Sequence, residues 1–254
     1  MTPATMTRPI LALGLVAFLT ASAMAGSLIE PRLTIARGGG DGPHVALTLD
    51  ACGGLADERI LSALIRDRIP ATIFVTARWL RLNPAALAEL KAHPQLFEIE
   101  NHGDRHLPAI DLPVRIYGLP AAGSLVAVRA EIDGGAAAVT AAIGKSPHWF
   151  RGATGKYTAA AIRLIHQLKY ELAGYSLAAD GGALLSAAST AKRIEKARDG
   201  DVILAHVNQP GRRAGLGVIE GVLALKARGF HFVRLEDAGT PVAASFAVPA
   251  KPAG

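Results

Sequence analysis

Apolar and polar positions along this chain alternate between two periods. Residues 45–49 and 72–75 are short apolar runs rich in strand-forming side chains. Between them, residues 57–68 place Ile60, Leu61, Leu64 and Ile65 at helical spacing, with Asp57 as the cap. Residues 79–92 predict a second helix and residues 97–100 a strand. Residues 107–120 carry Pro108, Pro113 and Pro120 and predict a loop. Leu125–Ile143, rich in Ala and Val, predicts a helix in which Gly134 and Gly135 are a candidate break.

The second half repeats the alternation. Trp149–Phe150 predicts a short strand, residues 158–168 a helix, and residues 170–175 an extended piece. Residues 190–198 predict a helix, 202–205 a strand, 215–228 a helix and 231–235 a final strand. Regular strand–helix alternation predicts an α/β domain with a mostly parallel sheet or barrel and helices outside. Ligands in such folds sit at the carboxyl ends of the strands.

The two ends differ from this pattern. In residues 1–25, Arg8 precedes an apolar run from Ile10 to Thr20, and Ala23-Met24-Ala25 is a small-x-small cleavage signature. That is the pattern of a secretory signal peptide, and it predicts an exported protein, periplasmic or secreted. Its apolar run falls short of the roughly 20 residues of a membrane span, and no other stretch is a candidate. Residues 26–42 predict a Gly-rich connector, 43–238 the single folded domain, and 239–254 a loose Ala/Pro-rich tail.

Composition narrows the class. Half of the chain is apolar, enough for a large core. The formal net charge of +6 comes from scattered residues, and no basic stripe with interleaved aromatics is present. Nucleic acid is therefore not an expected partner. The single cysteine, Cys52, excludes an intramolecular disulfide.

Chemistry collects where apolar runs end. The segment Phe97-Glu-Ile-Glu-Asn-His102-Gly-Asp-Arg-His106 sets two histidines four residues apart, on one face of a helical turn, with a divalent metal, zinc by default, as their expected cofactor. Asp50 closes its run beside Gly53-Gly54 and is placed as a general base or as a helix cap. Arg151 follows Trp149–Phe150 and leads into Gly152-Ala-Thr-Gly155, a guanidinium beside free backbone N–H groups. His206 ends residues 202–205 and is a candidate proton donor near neutral pH, with Asp180 to orient it. His44, His93, His148, His166 and His231 lack such placement and are read as structural or surface residues.

In that order, the segments resemble the polysaccharide deacetylases of carbohydrate esterase family 4, the NodB-homology hydrolases, over residues 45–235. Residues 45–53 resemble the first motif, usually TFDDG, here TLDACGG. Residues 99–106 resemble the paired-histidine metal motif with its preceding Asn. Phe150-Arg151-Gly-Ala-Thr-Gly155 is similar to the motif written RPPYG. Asp180 stands where the fourth motif places an acid, and residues 202–206 resemble the fifth, with Leu204 two positions before His206. Residues 71–76 and 229–235 resemble the family's ATFFV and KGYKFVTL strands.

The resemblance implies a distorted (β/α) barrel that hydrolyses N-acetyl, or in some members O-acetyl, groups on glycans. An acetylated glycan would be the substrate partner. His102 and His106 would hold the metal, and Asp50 would act as base, oriented by Arg151. His206 would protonate the leaving amine, a backbone N–H near Thr154 would hold the oxyanion, and Leu204 would line the acetyl methyl pocket.

Two departures bear on these roles. The family's second Asp, a metal ligand, is Ala51 here, and a methyl group cannot coordinate. Cys52, Asp104, Asp50 or water are the candidates to complete the ligand set. Gly152, Ala153 and Thr154 replace the usual two prolines and tyrosine of the third motif. A catalytically impaired, deacetylase-like glycan-binding protein is thus the alternative expectation.

Overall fold

The computed structural model describes residues 28–239 and 242–245. The secretory segment expected at residues 1–25 lies outside the described residues. Strand β1 (Arg32–Thr34) leads to β2 (His44–Ala51), α1 (Glu58–Arg66), β3 (Ala71–Val75), α2 (Ala77–Leu82), α3 (Pro84–Ala92) and β4 (Phe97–Asn101). A two-stranded hairpin, β5 (Arg115–Ile116) and β6 (Leu119–Pro120), precedes α4 (Leu125–Ile143) and β7 (Trp149–Phe150). Then come α5 (Ala159–Gln167), β8 (Glu171–Leu172), β9 (Leu177–Ala178), α6 (Ala187–Ile194) and β10 (Val202–His206). The last elements are α7 (Ala214–Ala227), β11 (His231–Val233) and β12 (Val242–Ser245).

The main sheet runs β8-β7-β4-β3-β2-β10-β9, and β11 also pairs with β2. All of these pairings are parallel. The sheet curls into a half-barrel ringed by helices, the single-domain fold expected from the alternation. β2 is buried on both faces, as a central parallel strand must be. Leu47, Leu49 and Ala51 face the large apolar cluster under the helices. Thr48 and Asp50 face the inside of the curl, because successive side chains alternate.

The register lines Thr48 up with Thr72 and Glu98, and Asp50 with Phe74 and Glu100. Glu98 Oε2 accepts from Thr72 Oγ1 at 2.6 Å, and Glu100 Oε2 accepts from the backbone N–H groups of His148 (2.9 Å) and Trp149 (2.8 Å). Burial, then the charge of Glu98, pushes the Glu100 carboxyl up to about 9. The curl is therefore lined by a polar layer beneath the strand ends, in which Glu98 Oε1 alone of the four carboxyl oxygens is buried without a hydrogen-bond partner.

Four elements differ from the sequence expectation, each for a local reason. The helix expected at 79–92 is two helices, broken at Asn83 (φ −127°, ψ 55°) with Pro84 opening α3. Asn83 uses the break: its Nδ2 donates to Gly54 O (3.1 Å) and its Oδ1 accepts from Ala56 N–H (2.8 Å), bracing the loop after β2. Residues Gly134 and Gly135 do not break α4, which runs unbroken for 19 residues. They let α4 approach the end of β4, since a Cβ on Gly135 would lie 2.6 Å from the Gly103 carbonyl carbon and collide with Asn101 Oδ1. Within the 107–120 loop, β5 and β6 form a hairpin.

The fourth difference concerns the ends. The expected connector carries β1, with Leu33 and Ile35 buried, and residues 242–245 of the expected loose tail pair with it antiparallel. Ile29 bridges to Tyr157, Leu33 N–H donates to Tyr175 O (3.4 Å), and Ile35 N–H to Gly200 O (2.9 Å). Among the described residues no helix is long and apolar enough to cross a membrane.

Replacing Gly135 with Ala raises helix propensity by up to about 1 kcal/mol but forces overpacking worth about 1–3 kcal/mol. The expected outcome in denaturant titration is a net loss of stability. A gain would refute the close approach as the reason for the glycine.

Candidate active site

The sheet's carboxyl edge gathers the reactive residues. Asp50 is the last residue but one of β2 with Cys52 just beyond the strand, His102 follows β4, Arg151 follows β7, and His206 ends β10. A cavity of about 860 Å³ opens above them, and its lining includes Asp50, Cys52, His106, Arg151, Thr154, Asp180, Leu204 and His206. Every residue expected at the site from sequence thus reaches this cavity, except His102, which lies buried just beneath it.

Arg151 is fully buried and uses its guanidinium in four directions. Nε donates to Ala173 O (3.2 Å) and Nη2 to Gly174 O (2.9 Å). Nη1 donates to Thr48 Oγ1 (2.9 Å) and to Asp50 Oδ1 (3.0 Å). Its Cζ stacks 4.2 Å from the Phe74 ring centroid. Burial alone raises the Asp50 carboxyl, but the charges of His102, Arg151 and His206 outweigh it and hold Asp50 below the usual carboxylate range.

His206 faces Asp50 along the β10–β2 register. Asp180 receives the His206 Nδ1–H (2.9 Å to Oδ1, 3.2 Å to Oδ2) and its backbone N–H (2.7 Å). That fixes the tautomer and leaves Nε2 toward the cavity. Burial pushes the imidazole down, while hydrogen bonds with Asp180 and Cys52 prevail and raise it well above the ordinary histidine range.

The paired histidines converge, but not on a helical turn. Residues 102–106 form an irregular loop in which Gly103 (φ 92°) and His106 (φ 67°) are left-handed. The reversal, rather than the i, i+4 geometry, brings the rings to 5.1 Å between centroids. His102 Nδ1 lies 2.6 Å from Arg151 O, so Nδ1–H donates there and the Nε2 lone pair faces inward. Cys52 Sγ lies 3.6 Å from that Nε2, and one ligand atom each from Cys52, His102 and His106 lie within 4.8 Å of one another. Two imidazoles and a thiol form a donor set suited to zinc, so the residues present fit a divalent metal. Asp104 is not part of the cluster; it stands near Arg81 and Arg105. Ala51 points into the apolar cluster under the helices.

Thr154 sits at φ 70° with its Oγ1 buried and unpartnered at the cavity wall. Leu204 presents an apolar side chain on the same cavity.

Sequence reasoning missed Glu131. This buried residue of α4 accepts the backbone N–H groups of Arg105 (2.9 Å) and Leu107 (3.0 Å), clamping the loop around His106. Its signal is weak, one of two acids on an Ala-rich helix, and only the packing of α4 on the loop reveals it.

Residues 37–173, more than half of the chain, match the family described as Polysaccharide deacetylase. The chain belongs to the polysaccharide deacetylase family. Solved structures agree on the deacetylase fold. A family 4 carbohydrate esterase pseudoenzyme from Bacillus anthracis superposes with TM-score 0.61 at 18% identity, covering 80% of this chain and 67% of that one. The peptidoglycan deacetylase PdaC from Bacillus subtilis gives 0.62 at 19%, covering 77% and 89%. A family 4 carbohydrate esterase from Streptomyces lividans, solved with acetate, gives 0.60 at 17%, covering 80% and 97%. No curated protein sequence matches. Both a pseudoenzyme and deacetylases stand among these structures, so the residues at this chain's own strand ends carry the functional argument.

Glu131→Ala leaves two loop N–H groups without their acceptor, a loss of about 1–3 kcal/mol for each one left buried. Thermal unfolding should show that loss, and Glu131→Gln, which keeps an acceptor, should recover most of it. Equal losses for both variants would show that the charge, not the acceptor, matters.

Proposed function

We propose that the chain is an exported, metal-dependent deacetylase that removes acetyl groups, N-acetyl foremost, from a cell-envelope or extracellular polysaccharide. The observation that carries this reading is the facing pair of pre-set proton carriers. Asp50 is held ionised by the charges of His102, Arg151 and His206, with Arg151 bonded to it directly, and His206 is held protonated by Asp180, across one cavity. A binding protein has no need for a base and an acid tuned in opposite directions. The export expectation rests on the leader pattern of residues 1–25.

A divalent metal at His102 and His106, when bound, supplies Lewis acidity toward the acetyl carbonyl. The remaining chemistry falls to the chain. Asp50 takes a proton from the attacking water, and Arg151 keeps its carboxylate oriented and charged. His206 Nε2 gives a proton to the departing amine, while Asp180 stabilises the imidazolium. The backbone at Thr154 faces the developing oxyanion, and Leu204 borders the acetyl methyl. Water and amide are consumed, and acetate and free amine are released. The peptidoglycan deacetylase and the carbohydrate esterase among the structural relatives support a glycan substrate.

The test is acetate release from acetylated chitooligosaccharide, peptidoglycan and xylan, with zinc and with chelator. Release from at least one, abolished by chelator, is the expected result. Asp50→Asn should lower turnover by about 10²–10⁴-fold without unfolding the chain. Silence on all three substrates, with tight glycan binding by the same protein, would replace the enzyme with a glycan-binding reading.

The raised His206 also sets a pH dependence. A proton donor works below its own pKa, so activity should persist through neutral pH and fall on the alkaline side. Asp180 is one source of the rise. Asp180→Asn should therefore move the alkaline limb of the rate profile to lower pH. An unmoved limb would exclude His206 as the donor.

A further inference from the structure

We propose that Cys52 is the third protein ligand of the metal centre, making it a His-His-Cys site that selects zinc-like cations over hard ones. The inference rests on the metal binding in the functional reading above and adds what the resemblance lacks, a replacement for the missing carboxylate.

Three observations converge. The first is direction. Ala51 sits in the apolar cluster on the helix side, whereas Cys52, one residue on, opens onto the cavity beside Asp50 and His106. The second is spacing. A tetrahedral zinc, with bonds of about 2.3 Å to sulfur and about 2.0–2.1 Å to nitrogen, separates those two atoms by about 3.5 Å. The observed Sγ to His102 Nε2 distance is 3.6 Å, and the whole three-atom set lies within 4.8 Å.

The third is support. The Cys52 carbonyl accepts from Thr76 Oγ1, and Asn83 holds the Gly54 carbonyl, so the loop behind the thiol is braced from both ends of α2. His102 Nδ1–H is committed to Arg151 O, which aims its other nitrogen at the sulfur. The backing of a ligand set is thus already built around Cys52.

The chemistry follows from the ligand type. A carboxylate suits magnesium, calcium or manganese, whereas a thiolate favours zinc and other softer ions. Cysteine at this position therefore supplies the negative ligand that Ala51 removes and narrows the choice of metal. Asp50 Oδ2 lies 3.7 Å from His102 Nε2 but outside the three-residue cluster, and with Cys52 as the ligand Asp50 remains available as the base.

The test uses the full chain loaded with cobalt(II) as a spectroscopic substitute for zinc. We expect a thiolate-to-cobalt charge-transfer band in the near ultraviolet, one bound metal per chain by equilibrium dialysis, and little binding of magnesium. Cys52→Ser should lose the band and bind zinc at least tenfold more weakly. Cys52→Asp should restore binding without the band and admit manganese. In the unaltered chain, zinc should also slow iodoacetamide alkylation of Cys52, a readout independent of how the variants fold.

A bound metal without the band, together with unchanged zinc affinity in Cys52→Ser, would overturn the proposal and leave the metal at the histidines. Transfer of an acetyl group from substrate to Cys52 in chelator would also overturn it, marking the thiol as a nucleophile. Failure of the unaltered chain to bind zinc or cobalt would remove both this proposal and the metal-dependent reading. A thiolate–metal band without acetate release from any substrate would keep the ligand assignment and remove the deacetylase.

Discussion

A guanidinium removed from water must find partners for its N–H groups inside the protein, and Arg151 finds them on separate segments. It bonds the β2 side chains Thr48 and Asp50 and the carbonyls of Ala173 and Gly174 beyond β8, and its Cζ lies over the Phe74 ring of β3. Its own carbonyl meanwhile holds His102. One residue therefore orients the carboxylate and aims an imidazole. Thr48 passes the restraint on, donating to Ile203 O (2.7 Å) of β10, the strand that ends in His206. The carboxyl edge of the sheet is locked as one unit, with little freedom for any single group to drift.

That lock is what made much of the site legible. A parallel α/β sheet delivers its strand ends to one edge, so the apolar runs ending in Asp50, His206 and the 101–102 and 150–151 steps point to a common place from sequence alone. The alternation of β-rich and helical segments carried the fold class for the same reason. Chain ends were harder to read. β1 and β12 are too short to show a period, and they exist because they pair with each other.

Other features depended on packing that no local pattern encodes. Gly134 and Gly135 read as a helix break, yet they mark where α4 presses on the loop after β4. Pro84 sat inside a helical pattern, and the break it imposed freed Asn83 to brace the loop after Cys52. Glu131 carries no motif, because its partners are backbone groups far along the chain. Cys52 carries no motif of its own, and only the position of the two imidazoles makes its neighbourhood distinctive.

The cavity's outer margin is built differently from its floor. Tyr117, at the tip of the β5–β6 hairpin, is 78% exposed, and Leu184 follows the left-handed Gly181, Gly182 and Ala183. Neither belongs to the parallel ladder, and neither touches the network around the guanidinium. Such a division lets the two parts evolve at different tempos. On the proposed reading, the choice of glycan would be rewritten on a hairpin and a glycine-bent loop, while the groups below stay under a constraint that tolerates almost no drift.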